Sequence, residues 1–284
     1  MKTIYPYRHF LCLLLFCSGI QLSHAQVWDL ANGAAYRGRG NTGLNKSDEW
    51  SLHSNIAGMA RLKSIAFTSS YQELYGLSAF TTLAAGVSVP VKELVVGIQV
   101  KKLGDKVYSE QIAGLALAHQ LGVVQLGLKA NFLQINQLGL GSITVPYVEF
   151  GVITKLSDKV YLGAHLFNLT QASITNEYKE RIPTRVQLGI AYKAAEKLYL
   201  NMEIEKDLEY SPLLKAGLEY KVIELLRLRA GANIPSKQNY FGLGLELKNL
   251  TIDYAYAHHS HLGASSELSL SYLLTHRKKV IKKQ

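Results

Sequence analysis

The chain has 284 residues, of which 18% are charged, with a formal net charge of +10 and 23 Gly and 17 Tyr. An average soluble domain is about 25% charged, so this composition argues against an ordinary cytoplasmic globule. After the N-terminal apolar run, no stretch reaches the ~18 apolar residues of a membrane-crossing helix, which excludes helical spans.

The chain opens on Met1-Lys2 and Arg8, an apolar run from Phe10 to Ile20, and Ser23-His24-Ala25. A basic start, an apolar middle and small residues at a cleavage position are the parts of a secretory signal, predicted over residues 1–25. The run is too short to span a bilayer, which takes about 20 residues. Cys12 and Cys17 both lie inside this signal, and Phe16 before Cys17 speaks against lipidation. The exported chain would then have no cysteine, which excludes disulfides, thiol catalysis and thiolate metal sites.

Residues 26–63 show no alternation and carry Gly33, Gly38, Gly40, Gly43 and Gly58 among small and polar residues. The segment is either a disordered leader or a plug folded back into the rest. Trp28, Trp50 and the apolar Ile56-Ala57-Gly58-Met59-Ala60 favour the plug.

From residue 64 the chain alternates with period two. A strand places successive side chains on opposite faces. Val186, Leu188, Ile190 and Tyr192 oppose Arg185, Gln187, Gly189 and Ala191. Leu198, Leu200, Met202 and Ile204 oppose Tyr199, Asn201, Glu203 and Glu205, and the same pattern recurs near 214–221, 226–233, 240–247, 250–257 and 267–272. Less regular strands are predicted near 64–71, 76–89, 92–102, 109–119, 122–136, 146–154 and 159–167, making fourteen in all. One face is apolar. The other is rich in Gly, Ala and Ser with a few charges, which suits the crowded inside of a barrel better than the wet face of a sandwich. An exported apolar chain without helical spans points to a transmembrane antiparallel β-barrel over 64–274, because in lipid only helices and closed barrels satisfy every backbone polar group.

The predicted connections run short and long in turn, as periplasmic turns and outer loops do. Short ones fall near 90–91, 120–121, 155–158, 193–196, 222–224 and 248, and longer ones near 103–108, 137–145, 168–183, 207–212, 235–239 and 258–265. The first hairpin, Gln72 to Tyr75, is tighter than that pattern expects. Both termini would be periplasmic. The basic end, residues 275–284 with Arg277, Lys278, Lys279, Lys282 and Lys283, reads as a solvated tail rather than a nucleic-acid site.

Candidate functional side chains are the charges on the predicted inner face: Arg185, Glu203, Glu205, Lys215, Glu219, Arg227, Arg229, Glu246 and Asp253. They lie on successive strands, so cross-strand pairing is geometrically open to them. They form either a salt-bridge network that fills the lumen or a polar conduit. They must face inward, because Arg or Lys facing lipid at the midplane costs about 2–4 kcal/mol. His258, His259 and His261 cluster in the last outer loop, but only His259 and His261 share a face and no acid stands beside them, so no metal site is expected. His119 and His165 are the candidates for a surface Ser/His pair, yet no spacing singles out a Ser/His/acid set. No phosphate loop, zinc motif or dinucleotide fingerprint is present. No enzyme and no cofactor are expected.

Short motifs also carry a family resemblance. Gly40-Asn41-Thr42-Gly43-Leu44, Asp48-Glu49-Trp50-Ser51-Leu52 and Asn55-Ile56-Ala57-Gly58-Met59-Ala60 resemble the leader of PorV/PorQ-type proteins, with Ile56 where those usually have proline. His261-Leu262-Gly263 followed by Leu268-Ser269-Leu270-Ser271-Tyr272 is similar to their last hairpin. That family belongs with the FadL-like fourteen-strand barrels of the outer membrane. The resemblance implies association with type IX protein secretion in the Bacteroidetes lineage, with translocon subunits or exported cargo as partners alongside outer-membrane lipid. The alternative is a FadL-like carrier or channel for hydrophobic small molecules, which needs a gap in the wall or a movable plug.

Overall fold

The computed structural model describes residues 32–174 and 181–274. The predicted signal with Cys12 and Cys17, the start of the leader with Trp28, and the basic tail lie outside the described residues.

Fourteen antiparallel strands close into one barrel. They are β1 (Ile65–Glu73), β2 (Thr81–Val91), β3 (Leu94–Gly104), β4 (Tyr108–Leu121), β5 (Val124–Gln137), β6 (Gly141–Lys155), β7 (Val160–Phe167), β8 (Arg185–Ala195), β9 (Leu198–Asp207), β10 (Leu213–Lys221), β11 (Leu226–Ile234), β12 (Gln238–Leu247), β13 (Leu250–His259) and β14 (Gly263–Leu274). Each pairs with its neighbours in sequence, and β1 closes on β14 from Ile65↔Leu274 to Glu73↔Ser266. Period-two side chains then divide cleanly between two environments. Outside stand Phe67, Ile98, Leu115, Leu128, Leu188, Met202, Phe241 and Leu270, all exposed. Inside stand small and polar groups such as Ser70, Gln99, Asn131 and Ser269, all buried. Tyr192, Tyr220 and Tyr272 face outward near the end where the chain's short turns lie.

The connections differ from the sequence expectation. The first, thought to be tight, spans 74–80 and contains a 3₁₀ turn, Ser78–Phe80. Tyr75 and Gly76 both have positive φ, which reverses the chain there. The longer loops expected at 103–108, 137–145, 235–239 and 258–265 contract to three-residue turns, because the strands on either side run further than alternation shows. β5 and β6 are the clearest case: they continue as a hairpin to Gln137↔Gly141, and the tip residues 141–144 are exposed on both faces, so no buried side marks them as strand. In the turn after β3, Asp105 accepts the N–H groups of Val107 and Tyr108, which holds its carboxyl below the usual carboxylate range. The long connection that remains, 168–184, follows β7.

That connection sits beside an irregularity in the wall. β6 pairs with β5 along its whole length but with β7 only from Phe150 to Lys155. Among the described residues, the outer half of β6 therefore has no strand on its second side. The backbone N–H of Leu169 bonds the Val148 carbonyl there, at 2.8 Å.

Between the chain's described start and β1, residues 33–62 lie inside the barrel. They comprise a short helix α1 (Ala34–Arg37) and two 3₁₀ segments, Glu49–His53 and Ile56–Arg61. Asp48 caps the first 3₁₀ segment, accepting the Trp50 N–H at 3.0 Å and the Tyr36 hydroxyl at 2.7 Å. Asn55 caps the second through the Ala57 N–H. Tyr36, Trp50, Leu52, Ile56 and Met59 are each at most 2% exposed. Such burial in a segment without regular structure requires the barrel to satisfy its backbone.

Candidate functional site

The inner wall is shaped to receive this plug. Glycines stand where plug backbone touches the strands. A Cβ on Gly127 would lie 2.4 Å from the Ala57 nitrogen, and one on Gly217 would lie 2.1 Å from the Arg39 carbonyl oxygen. On the neighbouring strand, a Cβ on Gly231 would meet the Arg39 backbone at 2.3 Å. Polar side chains of the wall take up the plug's free backbone groups. Glu203 accepts the N–H of Gly43 and Leu44 at 2.7 and 2.8 Å, and Glu267 accepts that of Gly33 at 2.9 Å. Asn55 donates to the carbonyls of Val152 on β6 and Ala164 on β7.

The structure brings the nine sequence-predicted charges together on the inner wall. Glu219 is the hub: its carboxylate meets Arg39 at 2.6 Å, Arg229 at 2.7 Å, Lys46 at 2.9 Å and Arg227 at 3.3 Å. Arg229 also reaches Asp253 at 2.6 Å, and Arg227 reaches Glu246 at 2.5 Å near the short-turn rim, where Glu246 is the most exposed of the set. Glu205 pairs with Lys215 at 2.6 Å and with Arg185 at 3.5 Å. Glu203 serves the plug backbone instead. Most of these groups are almost fully buried, which makes their pairing obligatory: an isolated charge in that environment costs several kcal/mol.

Alternation did not expose the other half of the network. Lys129 pairs with Glu149 at 3.0 Å, and His165 bonds the same carboxylate oxygen at 3.1 Å. Lys101 is buried too, but its bonds go to neutral oxygens, the Asn32 side chain at 3.0 Å and the His53 carbonyl at 3.5 Å. Their signal in the sequence was the spacing Lys129, Asn131 on β5 and Tyr147, Glu149 on β6. Arg39 and Lys46, in the plug, had no periodic signal at all.

Lys101, Lys129, Glu149, His165, Arg185 and Glu205 surround an internal cavity of about 80 Å³. That is room for a few waters. Toward the long-loop end the lining turns apolar. Leu103, Ile112, Leu133, Val145, Tyr147 and Phe167 form one buried cluster on the inner face of β3 to β7, joined by Ile174 and Ile182 from the connection after β7. Tyr147 and Phe167 stack with ring centres 5.1 Å apart, and the Arg185 guanidinium lies over the Phe167 ring at 4.5 Å. Val145 and Tyr147 belong to the half of β6 that lacks a second strand. The apolar cluster thus lies directly behind the stretch of wall where the connection after β7 stands in place of a strand.

His119, His165 and His259 are engaged in hydrogen bonds within the barrel. His259 is buried and its Nδ1 accepts the N–H groups of His261 and Leu262, so it shapes the last turn. Among the described residues no group of three His, Cys, Asp or Glu is placed to hold a metal. His165 has both ring nitrogens engaged, by Gln187 and Glu149, which leaves neither to activate a hydroxyl. His119 is far from it, at the short-turn end of β4, bonded to the Glu93 carbonyl.

No family model matches the sequence, and no curated protein matches it either. Solved structures do. The toluene transporter TbuX of Ralstonia pickettii superposes with a TM-score of 0.63 at 9% identity, covering 86% of this chain and 98% of its own. A FadL homologue of Pseudomonas aeruginosa gives 0.60 at 13%, covering 85% and 98%. The toluene transporter TodX of Pseudomonas putida gives 0.59 at 12%, covering 87% and 98%. These likenesses concern architecture, and they show that the chain has the FadL-like barrel fold.

Proposed function

We propose that the protein is an outer-membrane barrel that carries small hydrophobic molecules, entering by the apolar cluster at its long-loop end. The observation that supports this most is the placement of that cluster beside the half of β6 that lacks a second strand among the described residues. An interruption in the strand pairing backed by apolar side chains, covered only by the connection after β7, offers such a molecule a route that avoids the filled, charged lumen. The Lys101 amine, whose hydrogen bonds go to neutral oxygens, faces the cavity beneath and suits a molecule with an acidic end. The solved structures of like fold include two described as toluene transporters.

Membrane placement is supported by the apolar outer surface and the tyrosines near its rim, the pattern of a lipid-facing barrel. It predicts that Leu115→Arg, outward-facing on β4, will destabilise the barrel in vesicles by about 2–4 kcal/mol. Unfolding titrations in vesicles measure this, and an unchanged midpoint would count against a lipid-facing wall. Export through residues 1–25 belongs to the same proposal.

Uptake of labelled toluene and of laurate into vesicles holding the barrel tests the carrier reading. Uptake above barrel-free vesicles is expected. Tyr147→Arg, which puts a charge into the apolar cluster, is expected to cut uptake about tenfold, a loss of about 1.4 kcal/mol. If neither molecule enters, the carrier reading is wrong.

A second reading is association with type IX secretion through translocon subunits or cargo. It is supported by the resemblance of the leader, whose residues Gly40 to Ala60 pack against the inner wall, and by the filled lumen, which suits a scaffold. A mild-detergent pull-down that recovers secretion subunits would favour it over transport.

A further inference from the structure

The outer face of the barrel bears a concavity unlike the rest of its apolar surface. Its volume is about 660 Å³, and its lining comes mainly from outward side chains of β1 to β6. That lies within the ~300–1,000 Å³ of small-molecule sites. The strand register defines its shape. One outward row runs Leu83, Lys102, Gln111, Gln134, Thr144 across β2 to β6. The next row toward the barrel middle runs Ser69, Ala85, Val100, Ala113, Phe132. Ala113 forms a low floor between the taller Val100 and Phe132, and Ser69 and Ala85 continue the low surface on the other side of Val100. The result is a trough that is apolar and shallow toward the midplane and polar at its mouth.

The mouth is what distinguishes it. Lys102 is exposed, faces outward, and makes no salt bridge among the described residues. It stands two residues from the end of β3 at Gly104, at the long-loop rim. Beside it two amides and a hydroxyl supply neutral donors. A cation at the interface costs about 0–1 kcal/mol, against about 2–4 at the midplane. It therefore sits at headgroup depth, where a phosphate would satisfy it with charge-assisted hydrogen bonds.

We propose that this trough binds lipid A, the phosphorylated, multiply acylated glycolipid of the outer leaflet. Lys102, Gln111 and Gln134 hold a phosphate, and an acyl chain lies over Ala113 between Val100 and Phe132. This inference rests on the membrane placement proposed above, since the long-loop end then faces the outer leaflet.

The test titrates folded protein in detergent with phosphorylated lipid A and reads adducts by native mass spectrometry. Folding is checked by heat-modifiable electrophoretic migration. Dephosphorylated lipid A and phosphatidylethanolamine are the comparators. The wild type is expected to retain phosphorylated lipid A over both. Lys102→Leu is expected to weaken retention about tenfold, as loss of a charge-assisted contact would. Ala113→Phe, which fills the trough from outside, is expected to abolish the adduct with migration unchanged. Equal retention by Lys102→Leu, or equal binding of either comparator, overturns the proposal. So does a dimer that shields Lys102 from acetylation, which would make a second copy the occupant. Insertion into phosphatidylcholine vesicles is measured alongside. A barrel that inserts but shows no lipid preference overturns the trough and keeps the membrane placement, whereas one that fails to insert overturns both.

Discussion

Glu219→Ala will destabilise the folded barrel by about 3–5 kcal/mol, the range for removing one partner of a buried ion pair. The Glu219 side chain is 2% exposed and receives Arg39, Lys46, Arg227 and Arg229. Arg229 keeps Asp253 after truncation, and Arg227 keeps Glu246. Arg39 keeps a bond from its Nε to the Thr42 carbonyl and its place over the Tyr36 ring at 4.9 Å, but no carboxylate, and its side chain is 1% exposed. It becomes a buried charge without a counter-ion, and that is where most of the loss arises. The double variant Glu219→Leu with Arg39→Leu is expected to recover much of the loss, because apolar replacement of a whole buried pair is often neutral. Trp50, 2% exposed in the plug, supplies the fluorescence signal for denaturant unfolding. A midpoint for Glu219→Ala equal to that of the wild type would mean that the network contributes nothing to the seating of the plug.

The second large effect is expected from Gly217→Val. The new Cβ would fall 2.1 Å from the Arg39 carbonyl oxygen and 2.5 Å from the Thr42 hydroxyl. The first of these is backbone, which cannot swing aside as a long side chain can. Overpacking usually costs about 1–3 kcal/mol, and here the displaced segment also carries the Arg39–Glu219 pair, so about 3 kcal/mol or more is expected. Ala216→Val is the matched control. Ala216 is the adjacent residue and faces outward, so valine there should leave stability within about 0.5 kcal/mol. Limited proteolysis of the two variants reads the result directly: only Gly217→Val should expose plug peptides to cleavage. Equal protection in both would show that the plug yields without cost.

The strands of the second half were legible because each has one apolar and one polar face. β9, Leu198–Asp207, shows a clean alternation of exposed Leu200, Met202 and Ile204 with buried Asn201, Glu203 and Glu205. The charged residues named from β8 to β13 followed from that same alternation. In β3 to β6 the pattern fades for a physical reason. The inner face there carries Leu103, Ile112, Leu133 and Val145, so both faces read as apolar and Lys101, Lys129 and Glu149 lose their contrast. The feature that hid those strands is thus the cluster on which the transport proposal rests. Loop lengths were misjudged where strands project beyond the wall with both faces exposed, as at 141–144. The plug's partners were out of reach because an aperiodic segment does not encode which strand each residue meets.

The reach of that plug bears on how the barrel is built. Within some thirty residues it bonds β14 through Gly33, β10 through Arg39, β9 through Gly43, β6 and β7 through Asn55, and β1 through His53. In the folded barrel it is the mandrel that the closed sheet surrounds. Translation delivers it first and β14 last, and the seam between them joins Ile65 to Leu274. Closing so long a loop adds little entropy cost beyond that of a shorter one, since the cost grows only with the logarithm of length. Timing matters more. A chain that has not yet made β14 is an open trough with its mandrel anchored on one flank and bare on the other. The final strand therefore does two things at once: it shuts the wall, and through Glu267 and Ser269 it takes hold of the backbone N–H groups of Gly33 and Ala34, the free end of what the wall encloses.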